Sequence, residues 1–441
     1  MPAAVSQKRP ARFGSLRSPC LSLAEKYRIG EVSEEDRSMS GSLNVSLVDA
    51  EPYRAASDEH AVPRDTVIVV TVESLHNIAK LEADWKALET RATHSFYLSW
   101  LWMETWLRHL PRSTQPRVLV ARAAGKIVGL AIICRRKAWR FGPRARSRWL
   151  LHETGDVRFD RLCVEYNNIL AEQSMADAVR VACLDALARH LRHSDQLVLS
   201  AIEPDFELAA CRVAQRAGLI AELKAEDTAR WIDFAKVRQI GGNFRATLGR
   251  NTRQAVSRAM RLYAERGLIE FRTAEATSEA LVAFDSLAEL HQARWGRKGA
   301  FVNPSFRRFH QELIARGVPT GAVRISRTLA GDQTIGVLYN FVHDHRVFNY
   351  QSGFLYERDS RLKPGLVSHV LAIEDSIMRG ERGYDFLAGS AGHKSHLANA
   401  EHAMRWITIA RDSLERRVEA KLRQTKRVLG TIATHLRQAA P

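Results

Sequence analysis

The chain of 441 residues is 45% hydrophobic and 26% charged, which are ordinary globular values, and its length predicts two or three domains. No apolar run reaches the ~18 residues that span a bilayer, and no continuous apolar segment follows the basic N-terminus, so neither a membrane helix nor a secretory signal is expected. The five cysteines form no CxxC pair, which argues against a zinc module or a disulfide framework and indicates a cytoplasmic protein.

Composition divides the first half of the chain into a tail and an α/β region. Residues 1–62 are rich in Ser, Pro, Ala and charge without apolar periodicity, which predicts a disordered tail. The elements predicted after it are a strand from Val67, helices over about 74–91 and 95–110, a hairpin turning at Gly125, a helix over about 173–192, a strand QLVLSAIE, a helix near 206–217 and a strand ending in WIDFA. The second helix carries an aromatic stripe of Phe96, Tyr97, Trp100, Trp102 and Trp106, which we interpret as core packing rather than a ligand platform.

The second half repeats this order of elements. It is predicted to contain helices over about 244–266 and 278–293, a hairpin turning at Gly331-Asp332, a strand RVFNYQSGF, a helix over about 364–380, and strands GYDFLAG and MRWITIA. The two hairpins match locally, as GKIVGLAI around Gly129 and DQTIGVLY around Gly336. The repetition predicts a duplicated unit of the α/β (α+β) class, with mixed sheets flanked by helices.

The most informative motif is the passage from strand to helix at Lys363-Pro364-Gly365. Proline favours the first helical turn because its missing N–H has no partner there, and glycine lets a ligand approach the backbone closely. The N-terminus of such a helix offers free N–H groups and a positive dipole, which suit a pyrophosphate, and Arg361 and Lys363 add positive charge. The alternative is an ordinary helix start after a loop.

Further motifs surround this helix start. They are LHQARW at 290–295, YQSGF at 350–354, LKPGL at 362–366, and RGYDFLAG at 382–389 followed by Lys394. With them, the stretch from about Arg250 to Ile409 resembles the bacterial GNAT-like acetyltransferases associated with cellulose and exopolysaccharide synthesis, which are related to the Fem-type aminoacyltransferases. The segment SAGHKSHLANAEH after Gly389 departs from the family, whose members more often have an acidic residue, a tyrosine before the lysine, and arginine with tryptophan after it.

The resemblance implies tandem GNAT-like (acyl-CoA N-acyltransferase) domains, with the acyl-CoA in a V-shaped opening between two splayed strands of the second. The strand 346–354, including Gln351, would pair with the pantetheine amides, and the helix start at Pro364, Gly365 and Leu366 would hold the pyrophosphate. The donor would be acetyl-CoA or a longer acyl-CoA, and an amine or hydroxyl would attack the thioester directly. Such a transfer needs a general base and donors for the developing oxyanion.

Two candidate bases follow from position. Asp385 alternates with the aromatic residues of the strand GYDFL and is either the base or a strand-end carboxylate that holds a loop. His291 and Trp295 lie one turn apart on one helix face, near the acceptor side by family analogy. His291 is the second candidate base and Trp295 a candidate acceptor contact, and the alternative for both is a structural role.

Tyr350 and Lys394 complete the candidate site. Tyr350 is a candidate donor to the leaving thiolate or a packing residue, and Lys394 is a candidate acceptor-binding residue. No metal site is predicted, because the pair His393 and His396 lacks a nearby carboxylate in a ligand spacing. The first half has no Pro-Gly helix start, and we interpret it as a structural partner that shapes the acceptor cleft.

The net charge of +17 is concentrated in three segments, 135–148 at +7, 244–266 at +5 and 411–441 at +5. The first has aromatic residues among its arginines, which suits RNA or a bilayer interface, or it is a solvated hairpin extension. The second offers a grip for an anionic acceptor or is a solvated face. The third is strongly amphipathic and either docks on the protein, dimerises or lies on an anionic membrane surface.

The sequence thus predicts a tail over 1–62, a GNAT-like structural half over 63–238, an acyltransferase half over 239–412 and a basic amphipathic helix over 413–441. The enzyme would act in the cytoplasm, or at the inner face of the membrane, on a small-molecule, glycan or peptide acceptor of envelope or exopolysaccharide metabolism. Two alternatives stay open: a Fem-like transferase that uses aminoacyl-tRNA, and a non-catalytic basic adaptor for nucleic acid or membrane.

Overall fold

A computed structural model describes residues 67–138, 146–389 and 392–413. The predicted tail over 1–62, all but the first residue of the predicted helix over 413–441, and the middle of the basic segment 135–148 lie outside the described residues. Within the part of the chain that is described, no helix has the length and apolarity needed to cross a membrane.

Strands and helices alternate along the chain. The strands are β1 (Ile68–Ser74), β2 (Arg117–Ala123), β3 (Lys126–Ala138), β4 (Arg146–Leu151), β5 (Leu170–Ala171), β6 (Gln196–Ile202), β7 (Leu219–Asp233), β8 (Ile269–Thr273), β9 (Val323–Ala330), β10 (Gln333–His343), β11 (Arg346–Phe354), β12 (Gly383–Ala388) and β13 (Ala400–Arg411). The helices are α1 (Ile78–Glu89), α2 (Trp100–Arg108), α3 (Val157–Asp160), α4 (Ala176–His190), α5 (Pro204–Arg216), α6 (Phe234–Gln239), α7 (Phe244–Thr247), α8 (Arg250–Ala264), α9 (Thr277–Trp295), α10 (Pro304–Gly317), α11 (Pro364–Met378) and α12 (Gly392–Leu397).

The structure corrects the prediction of one continuous helix over 244–266. Leu248 has an extended backbone and separates α7 from α8, which begins after Gly249. Helix α10 was not predicted, although its start carries a recognisable signal. The side chain of Asn303 accepts a hydrogen bond from the N–H of Ser305, and Pro304 occupies the first helical position.

The described chain forms two compact units. The first unit contains the described residues up to Asp227, then Asn303–Val323 and the residues from His402 onward. Its strands follow the order β1-β2-β3-β4-β6-β13, and all neighbours are antiparallel except β4 and β6. Helices α4 and α5 bury Leu184 and Phe206 against one face of this sheet.

The aromatic stripe around α2 belongs to the core of the first unit. All five aromatic side chains are buried, and the ring centroids of Trp102 and Phe309 of α10 lie 5.0 Å apart. The predicted core packing is therefore confirmed. The contact between Trp102 and Phe309 also explains why α10 belongs to the first unit, although α10 lies far from the rest of that unit in the sequence.

The second unit contains Thr228–Val302 and Arg324–Glu401. Its strands follow the order β7-β12-β11-β10-β9-β8, in which β11 and β12 are parallel. Helix α11 connects these two strands and buries Val370 and Ile373 in a core with Leu338 and Tyr384. The predicted α/β (α+β) class, with mixed sheets flanked by helices, is confirmed.

The matching hairpin glycines have the same function in both units. A Cβ atom on Gly129 would overlap Cγ1 of Val179 on α4, and one on Gly336 would overlap Oγ of Ser368 on α11. In each unit the second hairpin strand therefore passes directly beneath a helix, where only glycine fits. This common close approach supports the predicted duplication.

Candidate active site

The candidate site lies where β11 and β12 separate in the second unit. The two strands pair only through Arg346–Phe348 and Gly383–Asp385, although β11 continues to Phe354 and β12 to Ala388. Beyond this point β11 stays paired with β10 on its other side. We call the gap between the separating strands the opening. An edge of a strand that pairs with no neighbouring strand can pair through its backbone N–H and C=O groups with an extended ligand.

A β-bulge explains why the strands separate there. Asn340 of β10 lies opposite Asn349, and Tyr339 lies opposite Gln351, so Tyr350 is an extra residue in β11. A bulge bends its strand and increases the local twist, which carries β11 away from β12. The amide of Asn349 donates to Oδ1 of Asn340 at 2.8 Å and stabilises the bulge. This asparagine pair was not predicted from the sequence, although two asparagines in facing buried strands are a detectable signal.

The N-terminus of α11 follows the opening along the chain. Pro364 occupies the first helical position, no side chain caps the helix, and its first turn contains no acidic residue. The N–H groups of Gly365 and Leu366 are therefore free of a side-chain cap and suit the oxygens of a phosphate. Lys363 is exposed beside them and forms no ion pair with a described residue.

Arg361 is less available than Lys363. It donates to both carboxylate oxygens of Asp359, and these hydrogen bonds hold the pKa of Asp359 at about 2. The positive charge of Arg361 is thus largely balanced by its neighbour. An approaching phosphate would have to compete with Asp359 for it.

Gly365 packs against the last residue of β11. A Cβ atom at this position would lie 3.0 Å from the ring of Phe354. The glycine therefore lets an aromatic ring pack closely on the helix start, while its N–H remains in the first turn. Leu366 is half-buried and packs against the core of the second unit.

Asp385 is 0% exposed and forms two strong contacts. Its Oδ2 accepts from Nη2 of Arg346 at 2.5 Å, and its Oδ1 accepts from the N–H of Leu387 at 2.7 Å. The guanidinium of Arg346 lies over the ring of Trp231 at 4.5 Å. These contacts favour the alternative in which Asp385 holds neighbouring backbone, and sequence reasoning missed both Arg346 and Trp231.

Lys394 acts on the same segment as Asp385. Its buried ammonium group donates to the carbonyl oxygens of Leu387 at 3.1 Å and Ala388 at 2.8 Å. Leu387 has a φ of 60°, and the pairing of β12 with β7 contains one extra residue between Asp385 and Ala388. The structure therefore brings Asp385 and Lys394 together to fix a strained bulge at the end of β12.

His291 lies on α9 and is 2% exposed. Neither of its ring nitrogens has a hydrogen-bond partner among the described residues. Burial, and then the charge of Arg294, lowers the pKa of His291 to about 4, so the ring is neutral at pH 7 and keeps one unprotonated nitrogen. Gly299 makes room for it, since a Cβ atom there would lie 2.9 Å from its Nδ1.

Helix α9 places His291 and Trp295 beside the end of β11. The rings of these two residues are 6.2 Å apart, as their spacing predicted. A Cβ atom on Gly353 would lie 3.0 Å from the carbonyl oxygen of Leu287, one turn before His291. The role of Gly353 was not predicted from the sequence. Glycine, which has no Cβ atom, permits this close approach of helix and strand.

Tyr350 and Gln351 are both buried within β11. The ring of Tyr350 packs 4.7 Å from that of Phe341 and 5.7 Å from that of Tyr339. These contacts favour the packing alternative for Tyr350. Among the described residues, no group of three or more His, Cys, Asp or Glu side chains is placed to hold a metal ion.

Residues 250–395 match the family model described as an acetyltransferase (GNAT) domain. The match covers a third of the chain and contains the opening, the start of α11, His291 and the bulge held by Asp385 and Lys394. No curated protein matches the chain.

Several solved structures are similar over most of the chain. The C-terminal domain of a putative lysylphosphatidylglycerol synthetase from Agrobacterium fabrum is 12% identical, with a TM-score of 0.47, over 79% of this chain and 96% of its own. FemX is 12% identical with a TM-score of 0.48, over 76% and 96%. A tandem GNAT protein from the clavulanic acid biosynthesis pathway is 12% identical with a TM-score of 0.42, over 78% and 100%. Sequence identities of 12% with TM-scores below 0.5 carry no information about the activity of this chain.

Proposed function

We propose that this acyltransferase, whose residues 250–395 are a GNAT acetyltransferase domain, transfers an acyl group from acetyl-CoA or a longer acyl-CoA to an amine or hydroxyl acceptor. The observation that carries the proposal is the opening between β11 and β12, which is followed along the chain by the uncapped start of α11. An extended chain with amide groups pairs with a free strand edge, and a pyrophosphate fits a helix N-terminus. Coenzyme A has both features.

Different residues of the opening would bind different parts of the acyl-CoA donor. The backbone of β11 from Asn349 onward would pair with the pantetheine amides, with Gln351 within this stretch. The N–H groups of Gly365 and Leu366 would bind the pyrophosphate, and Lys363 would add charge. Arg361 would contribute only when the phosphate displaces Asp359.

We propose that His291 is the general base, which takes the proton from the attacking amine or hydroxyl of the acceptor. Its neutral ring has one nitrogen lone pair and one N–H, and neither has a partner among the described residues, whereas the carboxylate of Asp385 is bound to Arg346 and to the N–H of Leu387. In this assignment Asp385 and Lys394 are positioning residues that fix the bulged end of β12 beside the opening. Trp295 would contact the acceptor next to His291.

A second candidate donor is aminoacyl-tRNA. The observation in its favour is a row of four exposed arginines on α8, namely Arg250, Arg253, Arg258 and Arg261. Helix α8 packs beside the start of α11, because Ala259 and Tyr263 share a core cluster with Leu362 and Val367. A polyanion could therefore bind alongside the proposed donor site. An acceptor from envelope or exopolysaccharide metabolism is supported by the sequence resemblance alone.

The test is calorimetric titration of CoA and of tRNA into the full chain and two variants. Lys363→Glu should weaken CoA binding about tenfold, or about 1.4 kcal/mol, because it places a negative charge at the pyrophosphate site. Lys80→Glu makes the same change on exposed α1 and should leave CoA binding unchanged. Equal CoA affinity in both variants would refute the site, and binding of tRNA without CoA would select the second candidate.

A further inference from the structure

The proposed base, His291, is covered in the structure. It is 2% exposed, whereas a general base must come within about 3 Å of the group from which it takes a proton. An acceptor therefore reaches this ring only when part of the molecule moves aside. The contacts of the ring identify that part.

The ring is covered by residues 296–302, which follow α9 and are called the cover segment. The segment consists of two single turns of 3-10 helix, Gly296–Lys298 and Ala300–Val302. A Cβ atom on Gly299, between the turns, would lie 2.9 Å from Nδ1 and 3.0 Å from Cε1 of His291. The ring centroid of Phe301 lies 4.9 Å from that of the imidazole. Both residues of the cover segment therefore lie directly against His291.

The turns of the cover segment have weak backbone hydrogen bonds. The N–H of Gly299 donates to the carbonyl of Gly296 at 3.3 Å, and the N–H of Val302 donates to that of Gly299 at 3.4 Å. Both distances exceed the usual ~2.9–3.0 Å. The apolar anchor of the segment is Phe301, whose ring lies 5.3 Å from that of Phe284 on α9. Such a segment separates from its helix more easily than a strand or a long helix does.

The closed arrangement leaves the imidazole of His291 unsatisfied. Its Nδ1 and Nε2 are buried and have no hydrogen-bond partner among the described residues. A buried polar group without a partner costs free energy, which water or an entering hydrogen-bonding ligand would recover. The covered state is therefore less favourable at this ring than an open state would be.

Gly296 has the properties of a hinge at the end of α9. Its φ of 52° and ψ of −135° lie in a region that residues with a Cβ atom rarely adopt. A Cβ atom there would meet nothing within 4 Å, so the backbone conformation and not the packing requires glycine. A residue at the end of a helix that adopts many backbone conformations can absorb the change of direction in a segment movement.

We propose that the cover segment is a lid, which opens at Gly296 to admit the acceptor to His291 and closes behind it. The closed lid keeps bulk water away from the base and so limits hydrolysis of the thioester. The inference rests on the proposed function for the role of His291, but the opening itself can be measured without an acceptor.

Modification of the full chain by diethyl pyrocarbonate at pH 7, followed by mass spectrometry of the histidine peptides, tests the lid. The reagent acylates an unprotonated ring nitrogen that solvent can reach. His76 is exposed, and His369 is 1% exposed and packs against Phe354 and Phe386 within the second unit. His291 should react about tenfold or more faster than His369, although both are buried, and more slowly than His76. Reaction of His291 no faster than that of His369 would overturn the proposal.

A matched pair of glycine variants locates the hinge. Gly296→Ala should open the lid more often, because alanine is strained in the closed backbone conformation, and should raise the modification rate of His291 about fivefold or more. Gly380→Ala at the end of α11 also introduces a Cβ atom into open space at a positive φ, and should leave that rate unchanged. An unchanged rate in Gly296→Ala, or an equal increase at His369, would contradict the lid.

The titration with CoA separates this inference from the proposed function. A chain that binds no CoA but shows the fast reaction of His291 would refute the proposed function and support the opening of the segment. A chain that binds CoA while His291 reacts as slowly as His369 would refute the lid alone.

Discussion

At the scale of single residues, His291 is a buried side chain whose two polar atoms lack hydrogen-bond partners among the described residues. An unsatisfied buried polar group costs about 1–3 kcal/mol, so a purely structural role would favour an apolar residue at this position. The neighbouring glycine, Gly299, leaves room for the ring where any larger residue would collide with it. This combination supports a chemical role for His291.

His291→Phe should separate the chemical role from packing. A planar ring is kept while the nitrogen lone pair and the N–H are removed, so kcat should fall roughly 10²–10⁴-fold while CoA affinity stays the same. The melting temperature should be unchanged or higher, because an unsatisfied polar group is lost. His76→Phe on the surface is the control. Wild-type kcat in His291→Phe would exclude His291 as the base.

The melting temperature of the same variant should depend on pH differently from that of the wild type. The pKa of His291 is lowered from about 6.5 to about 4 in the folded chain, so its neutral form stabilises the fold above pH 6.5 and this stabilisation is lost as the pH falls through 4. The wild-type melting temperature should therefore fall on acidification more steeply than that of His291→Phe. His152 and His310 have lowered pKa values as well, so the slope should decrease rather than vanish.

For Asp385 we expect the opposite result to His291, namely a loss of stability together with activity. Asp385→Asn should lower stability by about 1–3 kcal/mol and activity together, because it weakens a buried contact with Arg346 and the hold on Leu387. Asp344→Asn removes a carboxylate from an exposed ion pair with Arg382 and should change stability by less than about 1 kcal/mol. Loss of kcat at full stability in Asp385→Asn would restore Asp385 as the base.

At the scale of elements, the site depends on how closely α9 approaches β11. A Cβ atom on Gly353 would lie 2.9–3.0 Å from side-chain and backbone atoms of Leu287 and from Cβ of Leu290. Gly353→Ala should therefore push the helix off the strand, cost about 1–3 kcal/mol and reduce activity by displacing His291. Gly249→Ala, which meets nothing within 4 Å, is the matched control. Equal melting temperatures and rates in both variants would contradict this account.

The two bulges are the elements that shape the opening. The extra residue Tyr350 turns β11 away from β12, and the extra residue before Ala388 turns the end of β12, where Asp385 and Lys394 hold it. Polar side chains hold both bulges: Asn340 and Asn349 at the first, and Asp385 of β12 with Lys394 of α12 at the second. These contacts give the Asp-Phe-then-Lys pattern a structural role at the end of β12.

At the scale of the whole molecule, each unit takes residues from distant parts of the chain. Strand β13 pairs with β6, and α10 packs on α2, where Arg316 binds Glu104. A fragment of residues 239–413 would lack both partners. It would expose buried side chains such as Phe309 and Ile407, which forgoes roughly 1.5–3 kcal/mol for each.

We therefore expect the fragment 239–413 to aggregate or to melt without cooperativity, as measured by calorimetry and size-exclusion chromatography. The full chain, and a chain ending at residue 413, serve as controls. A cooperative transition of the fragment near that of the full chain would show that the second half folds alone. Docking on the protein, dimerisation and contact with an anionic membrane stay open for the basic C-terminal helix, and co-sedimentation of the two controls with anionic vesicles would test the membrane alternative.

Much of the fold was predictable because it depends on residues close together in sequence. Apolar periodicity located most strands and helices, Pro364 marked the start of α11, and the matching hairpins predicted a duplication that the close approach at Gly129 and Gly336 supports. The resemblance carried by the motifs between Arg250 and Lys394 led to the GNAT acetyltransferase domain, and with it to the acyltransferase class. Local backbone preferences and short motifs suffice for conclusions of this kind.

The roles of the site residues depend on partners far away in sequence. The backbone geometry of Leu248 breaks a helix whose side-chain pattern continues through it, and Phe354 fills the space beside Gly365. Arg346 engages Asp385 across two strands. Hydrogen bonds, close packing and burial act between neighbours in space, so only the tertiary structure decides which carboxylates are held, which histidines are left with free lone pairs, and where strands separate.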